Sequence, residues 1–159
     1  MSNFQKVIEF NSTFGNPVST SIQKNLLSNQ PQMVQSRLNL ILEETNELKE
    51  AVEKKDMNEI IDALADILVV TYGMGSYLGI DLDKAYDIVH KSNMSKLCNS
   101  EEEAKETVEW YKKNELRYDS PNYKQSSDGK YWIVYNESTK KILKNIHYTP
   151  ANFDEMLKN

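Results

Sequence analysis

Two aspartates inside an aliphatic run constrain this chain more than any other feature. The segment Glu59-Ile-Ile-Asp62-Ala-Leu-Ala-Asp66-Ile-Leu-Val-Val-Thr-Tyr72 has helical character and is apolar nearly all round. Asp62 and Asp66 stand four residues apart, so on a helix they share one face. A carboxylate among aliphatic neighbours is costly unless something positive compensates it. Just upstream lies a second acidic helical pattern, Leu42-Glu43-Glu44-Thr45-Asn46-Glu47. The expectation is that both aspartates sit in an aliphatic interior and that the two acidic faces converge there on divalent cations.

The rest of the chain reads as helices around that pair. Residues 34–54 form one, with Leu38, Ile41, Thr45, Leu48 and Val52 as the buried stripe and Glu43, Glu44, Glu47 and Glu50 on the adjoining face. Lys54-Lys55 suits its C-terminus. Asp56 looks like the N-cap of the next helix, Met57 to Leu78, with Glu59 at capping-box spacing. Being apolar all round, that helix is expected at the centre of a bundle. Gly79 ends it, and Asp81 can cap a helix over 82–95. Residues 3–14 read as a short amphipathic helix, and Ser100-Glu101-Glu102-Glu103 opens another that ends near Asn114. Residues 115–129 read as loop; Tyr131–Tyr135 and Lys141–Lys144 are then expected to pair as a β-hairpin. The fold class is all-α: an antiparallel helix bundle with a small C-terminal β-hairpin appendage. Residues 1–97 would form the catalytic core, and 98–159 a helix-plus-hairpin extension packed on the same domain.

Composition narrows the partners. The chain has 159 residues and a net charge of -5, and Arg37 and Arg117 are its two arginines. A nucleic-acid backbone binder would need a basic stripe that is absent here. Nucleotides stay possible, because cations bridge an acidic site to phosphates. Cys98 is the single cysteine, so no intrachain disulfide or thiolate zinc site exists. The first residues lack an apolar signal core, and Ile60 to Leu78 is interrupted by both aspartates and two glycines. A cytoplasmic protein with no membrane span is expected.

Oxygen-only ligation suits a hard ion, Mg2+ or Mn2+, and such ions act on phosphates. The implied reaction is hydrolysis or transfer at phosphorus. Two rivals stand beside it. A helical interaction module would use the acidic face to bind a basic partner. A di-metal carboxylate oxidoreductase bundle would need Glu-x-x-His motifs, and neither His90 nor His147 follows a glutamate by three.

Glu43-Glu44-x-x-Glu47, followed by an apolar helix bearing an acidic pair, resembles the MazG-like all-α nucleoside triphosphate pyrophosphohydrolases. That superfamily includes MazG, phosphoribosyl-ATP pyrophosphatase, dCTP pyrophosphatase and dimeric dUTPase. Asp62-Ala-Leu-Ala-Asp66 and His90-Lys91-Ser92-Asn93-Met94-Ser95-Lys96 resemble strings of one branch, as do Lys141-Ile-Leu-Lys144 and Tyr148-Thr-Pro150 near the end. The resemblance implies Mg2+-dependent conversion of a (d)NTP to (d)NMP and pyrophosphate, with water attacking the α-phosphorus. It implies that Glu44, Glu47 and Asp66 are metal ligands and that Glu43 is a ligand or positions the water. Lys91, Asn93 and Lys96 would contact phosphate or sugar, and the protein would be a homodimer or homotetramer. The family's second motif is ExxD, but Ala63 stands where its glutamate would align with Asp66. Either Asp62 replaces that ligand, or Glu59-x-x-Asp62 is the motif and Asp66 adds to it. Asp62 with Asp66 is favoured, because Glu59 has a capping role available.

Overall fold

Serine and aspartate caps and left-handed stops set the helix ends. In the computed structural model, which describes residues 1–158, α1 (Asn3–Thr13) opens on a capping box. Ser2 Oγ accepts from the Gln5 amide, and Gln5 Oε1 accepts from the Ser2 amide. After a single turn, α2 (Leu26–Asn29), Pro31 begins α3 (Pro31–Lys54), and Lys55 closes it in the left-handed region at φ 56°. Asp56 then caps α4 (Met57–Leu78), accepting from the Asn58 and Glu59 amides at 3.0 and 3.3 Å. So short a link makes α3 and α4 antiparallel neighbours. Asp81 Oδ1 accepts from the Lys84 amide at the start of α5 (Leu82–Met94). Ser100 caps α6 (Glu101–Asn114), while Glu103 reaches back to the Asn99 amide at 2.8 Å. Strands β1 (Pro121–Gln125) and β2 (Trp132–Asn136) and the last turn α7 (Asp154–Leu157) complete a mainly helical chain, in accord with the all-α class.

The described chain forms two compact units, Met1–Tyr86 with the segment from Phe153, and Asp87–Asn152. The division falls inside α5. Residues past Tyr86 bond to later chain: Ser92 Oγ donates to the Thr149 carbonyl at 2.9 Å, and Asn145 Nδ2 to that of Leu97 at 3.0 Å.

In the first unit α4 packs on α3 and α1, with the Phe4 and Tyr72 rings 5.8 Å apart. The packed face of α3 is Val34, Arg37, Ile41, Glu44, Leu48 and Ala51. This corrects the expected stripe, since Leu38, Thr45 and Val52 are exposed. Hydrophobicity alone turns the helix by one position, because two ionisable side chains occupy the inner face. The central placement of α4 is also corrected. Met57, Ile61, Leu64 and Leu68, spaced as one helical stripe, are 65, 60, 49 and 51 % exposed.

The segment before α2 runs along the end of α4, where Ser19 and Gln23 amides donate to the Ser76 and Leu78 carbonyls, both at 2.9 Å. Gly79 must be glycine there. Its φ is 73°, and a Cβ would lie 1.9 Å from the Ser21 carbonyl oxygen. Gly79→Ala is expected to lower stability by about 2 kcal/mol or more. Gly15→Ala, also left-handed but with nothing within 4 Å, should cost only about 1–2 kcal/mol for the backbone conformation. Urea unfolding midpoints compare the two, and equal losses would contradict this account.

In the second unit β2 pairs antiparallel with β1, from Pro121 opposite Asn136 to Gln125 opposite Trp132. The expected pairing of 131–135 with 141–144 is corrected to one isolated bridge, Tyr135 with Ile142. The Asp128-Gly129 turn decides it, with Gly129 at φ 71° and Asp128 Oδ1 accepting from the Lys130 amide at 3.0 Å. Polar β1 gives little strand signal of its own. β2 buries Val134 against Cys98, Ala104, Val108, Tyr111 and Leu143, with Tyr118, Tyr123 and Trp132 packed around them. The ribbon is therefore held by α6, as an isolated pair of strands would require.

Candidate active site

The antiparallel pairing of α3 and α4 brings their acidic residues together. Glu44 is half-buried on the inner face of α3, and Asp66 is half-buried on α4. Glu43, Glu47 and Asp62 are exposed at the rim. This corrects the expectation that both aspartates lie in an aliphatic interior. Asp62 faces solvent, because the α4 stripe beside it is uncovered in the single chain. The acidic rows nevertheless face each other. Burial raises the Glu44 pKa above its ordinary value, and the charges of Glu47, Asp66, Glu43 and Asp62 raise it further. Glu59 sits one turn nearer the start of α4, at the Asp56 cap, whereas the charge of Asp62, the second-motif alternative, acts on Glu44.

The five carboxylates also share a lack of partners. Glu50 and Glu53 pair with Lys54 and Lys49 on the surface of α3. Among the described residues, no hydrogen bond or ion pair reaches Glu43, Glu44, Glu47, Asp62 or Asp66. Glu44 Oε2 is the one buried side-chain oxygen or nitrogen with no hydrogen-bond partner among those residues, a condition that costs free energy. No three acidic, histidine or cysteine side chains among the described residues stand close enough to form a preassembled cation cage. The mutual repulsion of these groups is what raises the Glu44 pKa beyond the effect of burial. The donors are all carboxylate oxygens, the set that suits Mg2+ or Mn2+.

Lys91, Asn93 and Lys96 belong to the second unit. Lys91 and Asn93 are exposed, and Lys96 Nζ donates to Asn93 Oδ1 at 2.9 Å. Ser92 is buried and carries more of the local structure than any of the three. Its Oγ bonds the Tyr148 hydroxyl and the Thr149 carbonyl at 3.0 and 2.9 Å, and Ser95 Oγ accepts from the Thr149 amide at 3.0 Å. The two strings around Ser92 and Pro150, distant in sequence, thus meet, and they line a cavity of about 380 Å³ with Ile88, Lys91 and Ala151. Serine within a helix carries too weak a sequence signal to mark that role.

A sequence model described as phosphoribosyl-ATP pyrophosphohydrolase matches residues 7–93, which include all five carboxylates, Lys91 and Asn93. An uncharacterized protein of Acanthamoeba polyphaga mimivirus is 30 % identical, with 98 % of this chain and 96 % of that protein aligned. The match spans more than half of the chain, and the structure is helical as that all-α family requires. The chain therefore belongs to the phosphoribosyl-ATP pyrophosphohydrolase family, within the MazG-like all-α nucleotide pyrophosphohydrolases.

Proposed function

We propose that the protein hydrolyses a (d)NTP to (d)NMP and pyrophosphate in a Mg2+-dependent reaction, with Mn2+ as a possible substitute. The observation that carries this reading is the buried, unpartnered Glu44 Oε2 facing four further carboxylates that nothing in the described chain neutralises. Glu44, Glu47, Asp62 and Asp66 would hold the metal. Bound there, Mg2+ would neutralise phosphate charge and lower the pKa of a coordinated water. Glu43, at the rim, would accept the proton as the water oxygen bonds to the α-phosphorus. The bond from that phosphorus to the α–β bridging oxygen breaks, and pyrophosphate leaves with the oxygen. Lys91, Asn93 and Lys96 would supply contacts to phosphate or sugar.

Exposed Glu43, Glu47 and Asp62 also suit an acidic docking face, the interaction-module reading. Such a face needs no carboxylate oxygen withdrawn from solvent without a partner, and Glu44 has one. The bare stripe on α4 supports a homodimer or homotetramer, in which a second copy covers Met57, Ile61, Leu64 and Leu68. The deciding experiment is product analysis over a panel of ribo- and deoxyribonucleoside triphosphates with Mg2+. Monophosphate and pyrophosphate in equal amounts are expected. No turnover, or orthophosphate with a diphosphate, would overturn the reading.

A further inference from the structure

We propose that Arg37 is an anion-binding residue that takes the terminal phosphates of the substrate, the part that leaves as pyrophosphate; this rests on the hydrolase reading above. Arg37 lies on the packed face of α3 between Val34 and Ile41, half-buried. Among the described residues it has no ion pair and no hydrogen bond, and its one partner is the Tyr77 ring, 5.5 Å from Cζ. The other arginine, Arg117, is exposed and paired with Glu115 at 3.1 Å. A guanidinium drawn partly out of water without an anion is costly, and this chain has acidic groups in excess.

The neighbours of Arg37 do not supply the missing anion. A Cβ built on Gly73 of α4 would lie 4.0 Å from Arg37 Nη1 and 3.8 Å from Asn11 Nδ2, which places the guanidinium against Gly73. Asn11 Nδ2 donates to Ser76 Oγ, and the Tyr77 hydroxyl to Gln30 Oε1. Arg37 precedes Glu44 by seven residues on α3, and Gly73 follows Asp66 by seven on α4. On antiparallel helices that puts the guanidinium in the same seam as the carboxylates, two turns or about 10 Å along it. A nucleotide whose α-phosphate sits at the carboxylates can extend its β- and γ-phosphates toward that fork of donors. Guanidinium geometry matches phosphate oxygens in pairs, which a lysine cannot reproduce.

The test titrates the 159-residue chain with inorganic pyrophosphate, and separately with each dNMP, by calorimetry in Mg2+. Arg37→Gln is expected to weaken pyrophosphate binding about 10–100-fold, to leave dNMP binding unchanged and to keep the wild-type circular dichroism spectrum. Arg37→Lys should recover part of the loss. Unchanged pyrophosphate affinity in Arg37→Gln, or an equal loss for pyrophosphate and dNMP, would overturn the proposal in favour of a structural role on Tyr77. A wild type that cleaves no nucleotide defeats the hydrolase reading on its own. The titration then still decides on Arg37: pyrophosphate binding lost in Arg37→Gln upholds it, and binding equal in both proteins, or absent from both, refutes it.

Discussion

Glu44→Gln is expected to abolish pyrophosphate release and, at the same time, to make the metal-free protein more stable at neutral pH. The two effects share one cause. The half-buried Glu44 carboxyl has one oxygen withdrawn from solvent without a partner, and it lies near four other carboxylates. Its pKa in the fold is therefore raised above the ordinary 4.5. A raised value means that folding favours the protonated form. The stability it confers is complete below pH 4.5 and is withdrawn as pH rises through the folded value. Glutamine removes that withdrawal, and burying an amide costs far less than burying a charge. Each kcal/mol regained should raise Tm by about 2–4 °C in a chain of this size. Mg2+ should stabilise the wild type by mass action and leave the variant unmoved. The rate should fall by at least about 100-fold, because a metal-held charge contact supplies several kcal/mol in the transition state. Thermal scans from pH 4 to 8, with and without Mg2+, and a coupled pyrophosphate assay read all three. An active Glu44→Gln, or one destabilised at neutral pH, would remove Glu44 from the metal set.

Leu64→Asp and Leu68→Asp are expected to convert an assembly into an 18.4 kDa monomer. Both residues lie on the α4 stripe with Met57 and Ile61, and full burial of each leucine is worth about 1.5–3 kcal/mol. A charge at the centre of such a contact reverses that gain and adds a desolvation cost. Length and composition would also let α4 cross a bilayer. Asp62 and Asp66 oppose this, because an acidic residue at the middle of a membrane helix costs about 2.5–3.5 kcal/mol. Light scattering after size exclusion gives the masses. A wild type that elutes as a monomer would sink the oligomer proposal.

Helix existence was legible in the sequence because capping is local chemistry. Asp56, Asp81 and Ser100 act where their spacing places them. Facing was less legible. The inner side of α3 carries Arg37 and Glu44, so a search for apolar periodicity settles one residue away, on Leu38, Thr45 and Val52. The hairpin partner was misplaced for a related reason. β1 is Pro-Asn-Tyr-Lys-Gln, whose strand state comes from pairing with β2 and packing on α6, not from its own propensity.

What the amino-acid order alone determined is the set of helices and the carboxylates on two successive ones, since caps and i,i+4 spacing need no partner. Only the tertiary structure decided that Asp62 is exposed while one Glu44 oxygen is buried without a partner, and that an arginine without an anion shares the carboxylates' seam. Exposure and charge pairing depend on which faces two helices present to each other, and antiparallel packing fixes that after each helix has formed.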